Sequence, residues 1–265
     1  MKKRLLAMLM TGAMVASLAA CGGGSSTPAD DTQKDGGNKA STTSGCSVDV
    51  ILKTTASEYW SYVKAGAEAY SKDNPDVKVE VKGATSETAY DEQQNMIETD
   101  LNSGAYDAFV IAPLQADLVK TLIAGQTAPI VAVDTNIDAP EVLSFVGTGN
   151  EAAAKKGGEA AVEAAKAAGW TDIKCIEIAG VQGDATNTAR MEGYREGVNE
   201  AGGEFLDAET QYANATADLA VTAMEGIMSK YPEGVAIICS NNDDMALGAI
   251  DACLAANVDP LPFIV

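Results

Sequence analysis

The sequence predicts an α/β protein built from two parallel β-sheets that are covered by helices on both faces. From residue 47 to the end of the chain, short apolar segments alternate with segments of helical spacing. Repeated strand–helix units of this kind are typical of parallel sheets, whose strands are buried on both sides. About nine strands in a body of ~220 residues approach the upper range for one domain, which favours two sheets over one.

The first half of this body, residues 47–147, is predicted to form an amino-terminal α/β lobe. Asn74-Pro75 ends its first helix. One face of that helix carries four residues at helical spacing, which predicts that they are buried: Trp60, Val63, Ala67 and Tyr70. The predicted strands of this half are residues 48–52, 77–81, 106–112, 129–133 and 142–146, and the predicted helices are residues 58–72, 87–101 and 117–124.

The second half, residues 148–265, is predicted to form a carboxy-terminal α/β lobe. It opens with an alanine-rich helix that ends at Gly169, a usual helix stop. The predicted strands are residues 173–179, 204–211, 235–239 and 261–265, and the predicted helices are residues 151–168, 187–201, 218–230 and 245–256. The last strand is apolar and nothing follows it. We therefore expect a fragment that stops inside its fold, with the carboxy-terminal part of this lobe missing.

The first 46 residues are predicted to be a leader and a tether. Residues 2–4 are basic, and residues 5–20 form an apolar run that is shorter than a comfortable membrane span. Residues 18–21, Leu-Ala-Ala-Cys, resemble the bacterial lipobox. Residues 1–20 are then a lipoprotein signal peptide, and Cys21 receives lipid on the extracytoplasmic face of the cell membrane. An ordinary signal peptide with an incidental cysteine is the alternative. Residues 21–46 are rich in small polar residues and predict a flexible tether.

Composition excludes several classes of function. The chain of 265 residues carries 18 Lys and Arg against 38 Asp and Glu, a net charge of −20, which disfavours nucleic acid as a partner and an anionic solute as a ligand. Histidine is absent, which removes every mechanism that needs a histidine base and every histidine-ligated zinc site. We expect neither a catalytic residue nor a cofactor.

Five cysteines are too few for a disulfide scaffold. Cys175 and Cys239 are expected to be buried thiols, and a Cys239–Cys253 pair stays open.

Candidate binding residues in the first half follow its predicted strands. In open α/β sheets, ligands bind beyond the carboxyl ends of the strands. Tyr59 and Trp60 come soon after the first strand, and aromatic faces stack on the apolar face of a sugar ring. A simple core role is the alternative for Trp60. Asp134 follows the fourth strand, where a carboxylate accepts bonds from two hydroxyls or, equally well, serves as a cap or turn residue.

The second half offers an arginine and a polar cluster. Arg190 lies on the helix after the strand 173–179, where its five donors point either into a cleft or into solvent. Residues 241–244, Asn-Asn-Asp-Asp, crowd the start of one helix. Helix capping explains one or two of these side chains but not all four. A metal site there is disfavoured, because consecutive residues on one turn do not all point at one ion.

Several of these segments resemble the type I periplasmic sugar-binding proteins of ABC importers, the ribose- and galactose-binding family. Residues 240–248 resemble its NND-x-MA-x-G signature, and residues 128–134 resemble its IPVV-x-x-D strand. Gly180-x-x-Gly183 followed by Arg190-x-x-Gly193-Tyr194 resembles its second-lobe motif. The resemblance runs from about Ser47 to the end. It implies two Rossmann-like lobes with the ligand in the cleft between them.

The resemblance also implies roles for individual residues. Tyr59 and Trp60 would stack on the ligand, and the hydroxyls of the ligand would bond to Asp134, Arg190 and Asn242. Ser57 stands where ribose binders often have Asn, and Thr135 stands where they often have Arg, which puts ribose itself in doubt. The implied protein is a monomeric receptor, lipid-anchored through Cys21, that delivers a neutral sugar or polyol to a permease. Inositols, nucleosides and autoinducer-like furanosides stay open as ligands.

An enzyme that binds a dinucleotide such as NAD is the rival interpretation. Residues 147–152 fit G-x-G-x-x-A between a strand and a helix, and Glu177 is a candidate for the acid that binds the ribose. Glu177 lies further along the chain than the usual ~20 residues. The export signal and the absence of histidine also argue against this rival.

Overall fold

A computed structural model describes residues 45–265. The predicted signal peptide, the lipidation of Cys21 and almost all of the predicted tether lie outside the described residues. Within the described part, no helix combines the length and the apolar character that are needed to cross a membrane.

The first sheet has five strands in the order β2-β1-β3-β4-β5, and all of its pairings are parallel. Three helices follow its first three strands along the chain. The strands are β1 (Cys46–Thr54), β2 (Val77–Ala84), β3 (Ala108–Ile111), β4 (Ile130–Val133) and β5 (Val142–Val146), and the helices are α1 (Glu58–Asp73), α2 (Tyr90–Ser103) and α3 (Ala116–Leu122).

The second sheet also has five parallel strands, in the order β10-β9-β6-β7, with β8 paired to β6 beyond the end of β7. The strands are β6 (Lys174–Ala179), β7 (Glu204–Phe205), β8 (Gln211–Tyr212), β9 (Ile237–Ser240) and β10 (Phe263–Ile264), and the helices are α4 (Asn150–Ala167), α5 (Ala185–Glu200), α6 (Ala217–Lys230) and α7 (Asp243–Ala255). The predicted class, an α/β fold with parallel sheets, is confirmed.

Burial on both faces explains the apolar strands. Successive residues of β1 point to opposite sides of the sheet, so Ile51 and Leu52 belong to different cores. Ile51 packs with Ile97 of α2, and Leu52 packs with Trp60 of α1. Because both faces are covered, the strand shows a continuous apolar run instead of an alternating pattern.

Two sequence predictions need correction, and the others differ from the observed bounds by at most three residues. Tyr70 is 57% exposed, whereas Trp60 is 3% exposed. At 3.6 residues per turn, a separation of ten positions places Tyr70 about 80° around the helix from Trp60, so it lies at the margin of the buried face.

The segment 204–211 is not one strand. Phe205 pairs with Cys175, and Gln211 pairs with Ile178. Between these two pairs the segment 205–211 advances by six residues, whereas β6 advances by only three. The surplus residues leave the sheet as one turn of 3₁₀ helix, Asp207–Glu209, between two short strands.

Candidate functional site

A cavity of about 400 Å³ is lined by residues from the carboxyl ends of both sheets. It holds all six residues that the sequence predicts as ligand contacts: Ser57, Tyr59, Trp60, Asp134, Arg190 and Asn242. Their role in binding stays a prediction.

The topology of the sheets brings these residues together. In each sheet the first strand along the chain lies between neighbours whose connections run in opposite directions, so the helices on the two sides leave a crevice there. Lys53 is the last but one residue of β1, and residues 240–242 end β9 or follow it. The lining also includes residues at or just before the starts of α1, α4, α5 and α7, so the backbone N–H groups of four helix N-termini lie near the cavity.

The two adjacent aromatic residues differ in exposure. Tyr59 is 49% exposed, whereas Trp60 packs in the core with Val50 and Leu52. Their ring centroids are 5.0 Å apart at an interplanar angle of 80°. The indole Nε1 of Trp60 donates to Oε1 of Glu87 at 2.9 Å. Trp60 is thus a core residue that also lines the cavity, and Tyr59 is the aromatic ring that is open to a ligand.

The sequence left open whether Asp134 is a turn residue or a residue of the site. In the structure Asp134 forms a turn and also lines the cavity. Its φ of 64° is left-handed, a conformation that Asp tolerates better than most residues. Its backbone N–H donates to the carbonyl of Val146 at 2.9 Å, which fixes the turn against β5. The carboxylate Oδ2 accepts from the hydroxyl of Thr135 at 3.0 Å. Within residues 45–265, Oδ1 accepts no hydrogen bond, so one oxygen of Asp134 is free.

Lys53 is the residue that sequence reasoning missed. Its side chain is 3% exposed, and its Nζ lies 2.7 Å from Oδ2 of Asp184 and 3.2 Å from Oδ2 of Asp134. Burial alone would lower the pKa of Lys53, but the carboxylates of Asp184, Asp134 and Glu87 raise it above its ordinary value. Lys53 is the first residue after the predicted strand 48–52. The rule that ligands bind beyond strand ends would therefore have found it.

Asp184 is the partner of Lys53 from the second sheet. It caps α5, with Oδ1 accepting from the backbone N–H of Asn187 at 2.8 Å. Burial opposes ionisation, but the charge of Lys53 and the hydrogen bonds to the carboxylate hold its pKa below the ordinary value. Asp184 is therefore a carboxylate at neutral pH.

Arg190 of α5 reaches two other elements instead of extending into solvent. Its Nε donates to Oδ1 of Asn150 at 2.9 Å, and its Nη1 donates to the backbone carbonyl of Asn241. The guanidinium therefore connects the start of α4, the helix α5 and the end of β9. A planar group held in this way presents its remaining donors in a fixed direction.

Asn242 is largely engaged in structure. Its Oδ1 accepts from the backbone N–H of Met245 at 2.9 Å and caps α7, and its Nδ2 donates to the carbonyl of Ala215 at 3.1 Å. Asn241 beside it is buried and donates to Oδ1 of Asn187. Capping thus explains Asn242, while a buried amide pair explains Asn241.

The structure does not favour the dinucleotide interpretation. A dinucleotide fingerprint needs a strand and a helix of one βαβ unit. Here β5 belongs to the first sheet, whereas α4 supplies apolar residues to the core of the second. Glu177 lies inside β6, is fully buried and is not among the residues that line the cavity. Among residues 45–265, no three His, Cys, Asp or Glu side chains are grouped so as to hold a metal ion.

Comparison with known proteins agrees with this architecture. The family described as "Periplasmic binding protein domain" matches residues 48–265. The chain belongs to this family. The resemblance inferred from the motifs is thereby confirmed, and the family accounts for most of the chain.

Two curated relatives of this periplasmic binding protein are named for carbohydrate ligands. The D-ribose/D-allose-binding protein of Pseudomonas aeruginosa is 28% identical over 220 residues, 78% of this chain and 66% of that protein. The xylitol-binding protein of Mycolicibacterium smegmatis is 23% identical over 264 residues, 97% of this chain and 68% of that protein. The chain thus spans about two thirds of the length of these relatives.

A solved structure shows the same fold. The ABC transporter periplasmic solute-binding protein of Actinobacillus succinogenes 130z, with bound D-allose, superposes with a TM-score of 0.71 at 20% identity. The superposition covers 83% of this chain and 77% of that chain.

Proposed function

We propose that this periplasmic binding protein binds a neutral sugar or sugar alcohol in the cavity between its two sheets and delivers it to the permease of an ABC importer. The observation that carries the proposal is one cavity that joins a half-exposed tyrosine ring, a free carboxylate oxygen and an oriented guanidinium. The ring of Tyr59 covers the apolar face of a sugar. Asp134 accepts from its hydroxyls, and Arg190 donates to them.

The charges around the cavity favour a neutral ligand. Two cations, Lys53 and Arg190, face five carboxylates in the lining: Glu87, Asp134, Asp184, Asp243 and Asp244. The four helix N-termini near the cavity each contribute roughly half a positive charge, about +2 together. The fixed charges therefore sum to only about −1, which disfavours an anionic ligand and gives a cation little Coulomb energy on entry.

The complete receptor includes the leader and tether as well as the two lobes. The lobes, residues 47–147 and 148–265, close on the ligand by a hinge motion. The receptor works as a monomer, and lipid on Cys21 with the tether 21–46 holds it on the extracytoplasmic face of the cell membrane. No chemistry occurs on the ligand. The names of the two curated relatives support a sugar or polyol as the ligand.

The test is thermal unfolding with a panel of pentoses, hexoses, sugar alcohols, inositols, nucleosides and autoinducer-like furanosides. A ligand present at 100 times its Kd stabilises the protein by about 2.7 kcal/mol. We expect stabilisation by at least one sugar or sugar alcohol. Stabilisation by nucleosides alone, or by NAD alone, would contradict the proposal.

Arg190→Lys tests whether the cavity is the binding site. Lysine keeps the charge but loses the planar fork, so we expect the Kd of the stabilising sugar to rise by about tenfold or more. Arg195→Lys on the same helix is the matched control, because Arg195 pairs with Asp207 at the surface. Calorimetric titration measures both variants, and an equal effect of the two substitutions would place the ligand elsewhere.

A further inference from the structure

A second carboxylate of the first lobe reaches the cavity from the loop between β2 and α2. Glu87 lies in this loop, residues 85–89, and lines the cavity. Its Oε1 accepts from the indole Nε1 of Trp60 at 2.9 Å. Among residues 45–265, its Oε2 accepts no hydrogen bond, so one oxygen of this partly buried carboxylate has no partner.

The fold itself holds Glu87 in position. The backbone N–H and the hydroxyl of Thr85, at the start of the loop, both donate to Oε2 of Glu92, at 2.9 and 2.6 Å. Trp60, which packs in the core, fixes the carboxylate of Glu87 through its indole. Because the loop and the side chain are both anchored, a ligand does not have to pay for ordering them.

Glu87 and Asp134 reach the cavity from opposite sides of β1. In the first sheet, β2 lies on one side of β1, whereas β3 and β4 lie on the other. Glu87 follows β2, and Asp134 follows β4. Three strand spacings, roughly 14 Å, separate the axes of β2 and β4. Both residues belong to the first lobe, so this arrangement does not depend on how far the two lobes are closed.

The charge of Glu87 is costly to the fold. Burial raises the pKa of Glu87 above its ordinary value, and the ammonium group of Lys53 and the indole of Trp60 lower it only in part. An acid whose pKa is raised by folding opposes folding when it is ionised. A carboxylate that lines a cavity at the expense of stability is typical of a binding site, where function and stability compete.

We propose that Glu87 is a specificity-determining residue whose free carboxylate oxygen accepts a hydroxyl group at the end of the ligand opposite to the one that Asp134 binds. The inference deepens the proposed function and rests on it for a ligand that carries hydroxyl groups. Together the two carboxylates require a donor at each end of the ligand. An analogue that lacks the hydroxyl facing Glu87 leaves a partly buried carboxylate oxygen without a partner, so the site rejects it.

The first experiment compares hydroxyl groups one at a time. D-allose, D-ribose and xylitol are the probes, and the monodeoxy analogues of a probe that binds wild type are titrated by calorimetry. We expect Glu87→Gln to raise the Kd of the parent probe about tenfold or more, because it loses a charge-assisted hydrogen bond. The analogue that lacks the hydroxyl facing Glu87 should bind wild type and this variant equally, since the interaction is absent from both. Asp134→Asn should show the same pattern at a different hydroxyl.

Glu92→Gln is the matched control. Glu92 accepts from Thr85 of the same loop and does not line the cavity, so its Kd should equal that of wild type. An equal loss of affinity in this control would show that the loop matters and not the carboxylate of Glu87, which overturns the proposal. Glu87→Gln weakening the parent and every analogue by one factor, or acting at the same hydroxyl as Asp134→Asn, also overturns it.

The second experiment needs no ligand. Glutamine keeps an acceptor for the indole of Trp60 and removes the costly charge, so we expect Glu87→Gln to raise the melting temperature of the ligand-free protein at neutral pH. If Glu87 served only the fold, as a partner of Lys53 and Trp60, the melting temperature would be unchanged or lower, and that result overturns the proposal. If no probe binds wild type, the proposed function fails for these ligands, while the melting temperature still decides the role of Glu87.

Discussion

At the scale of single residues, Glu177 is a buried carboxylic acid that does not line the cavity and has no role in the proposed binding of a ligand. It lies in β6 with 0% exposure, and within residues 45–265 neither carboxylate oxygen has a donor in good hydrogen-bonding geometry. Burial raises its pKa to about 8, and the positive charge of Arg195 and the nearby side-chain amide of Asn241 oppose this only in part. Glu177 is therefore mostly protonated at neutral pH.

This shift predicts a pH-dependent stability. The folded protein keeps the proton of Glu177 up to about pH 8, whereas the unfolded chain loses it near 4.5. Between these values the folded state binds more protons, so the contribution of this group to the free energy of unfolding falls as pH rises. We expect Glu177→Gln to match wild type at pH 5 and to exceed it at pH 8, by at most about 4 kcal/mol.

Thermal melts at the two pH values measure this difference. Glu204→Gln, at the exposed position of β7, is the control and should change little at either pH. A Glu177→Gln variant whose stability relative to wild type is the same at pH 5 and pH 8 would show that the carboxylate is solvated or paired.

At the scale of elements, the packing of α4 against α5 explains the glycine in the motif Arg190-x-x-Gly193-Tyr194. A methyl group on Gly193 would overlap the carbonyl oxygen of Glu151, and one on Gly197 would overlap the carbonyl oxygen of Lys155. The two helices thus approach backbone to backbone. This approach brings the starts of both helices to one cavity, where Asn150 holds Arg190.

We predict that Gly193→Ala destabilises the protein by about 1–3 kcal/mol, because the added methyl group forces the two helices apart. Gly226→Ala is the matched control, since Gly226 lies in α6 with open space around it. Alanine there should stabilise the helix by up to about 1 kcal/mol. Urea unfolding measures both variants. Equal midpoints for the two would mean that α4 and α5 are not closely packed.

At the scale of the whole molecule, the chain is strongly acidic while the charges around its cavity sum to only about −1. We therefore predict that the Kd of a bound sugar changes less than about twofold between roughly 0.05 and 0.5 M NaCl, since salt screens only interactions between charges. Calorimetric titration at the two salt concentrations measures this. A steep loss of affinity with salt would indicate a charged ligand.

The sequence by itself determined the fold class and the edge of each sheet where the predicted binding residues gather. Strand and helix periodicities are local patterns, and parallel strands carry their carboxyl ends to one edge, so the amino-acid order alone points to Asp134 and Arg190. The sequence patterns did not predict some structural features, because these depend on packing against neighbouring helices and strands. The exposure of Tyr70 depends on how α1 packs against the first sheet, and the turn within 204–211 depends on the register with β6.

Only the tertiary structure decided how the two sheets face each other. Lys53 and Asp184 are 131 residues apart, and Arg190 and Asn150 are 40 residues apart. No local pattern predicts these pairs, because their distances depend on the packing of whole helices and on the angle between the sheets. The sequence thus predicted six of the residues that line the cavity, and the tertiary structure added Lys53 and decided which polar atoms of the lining are left without a partner among the described residues.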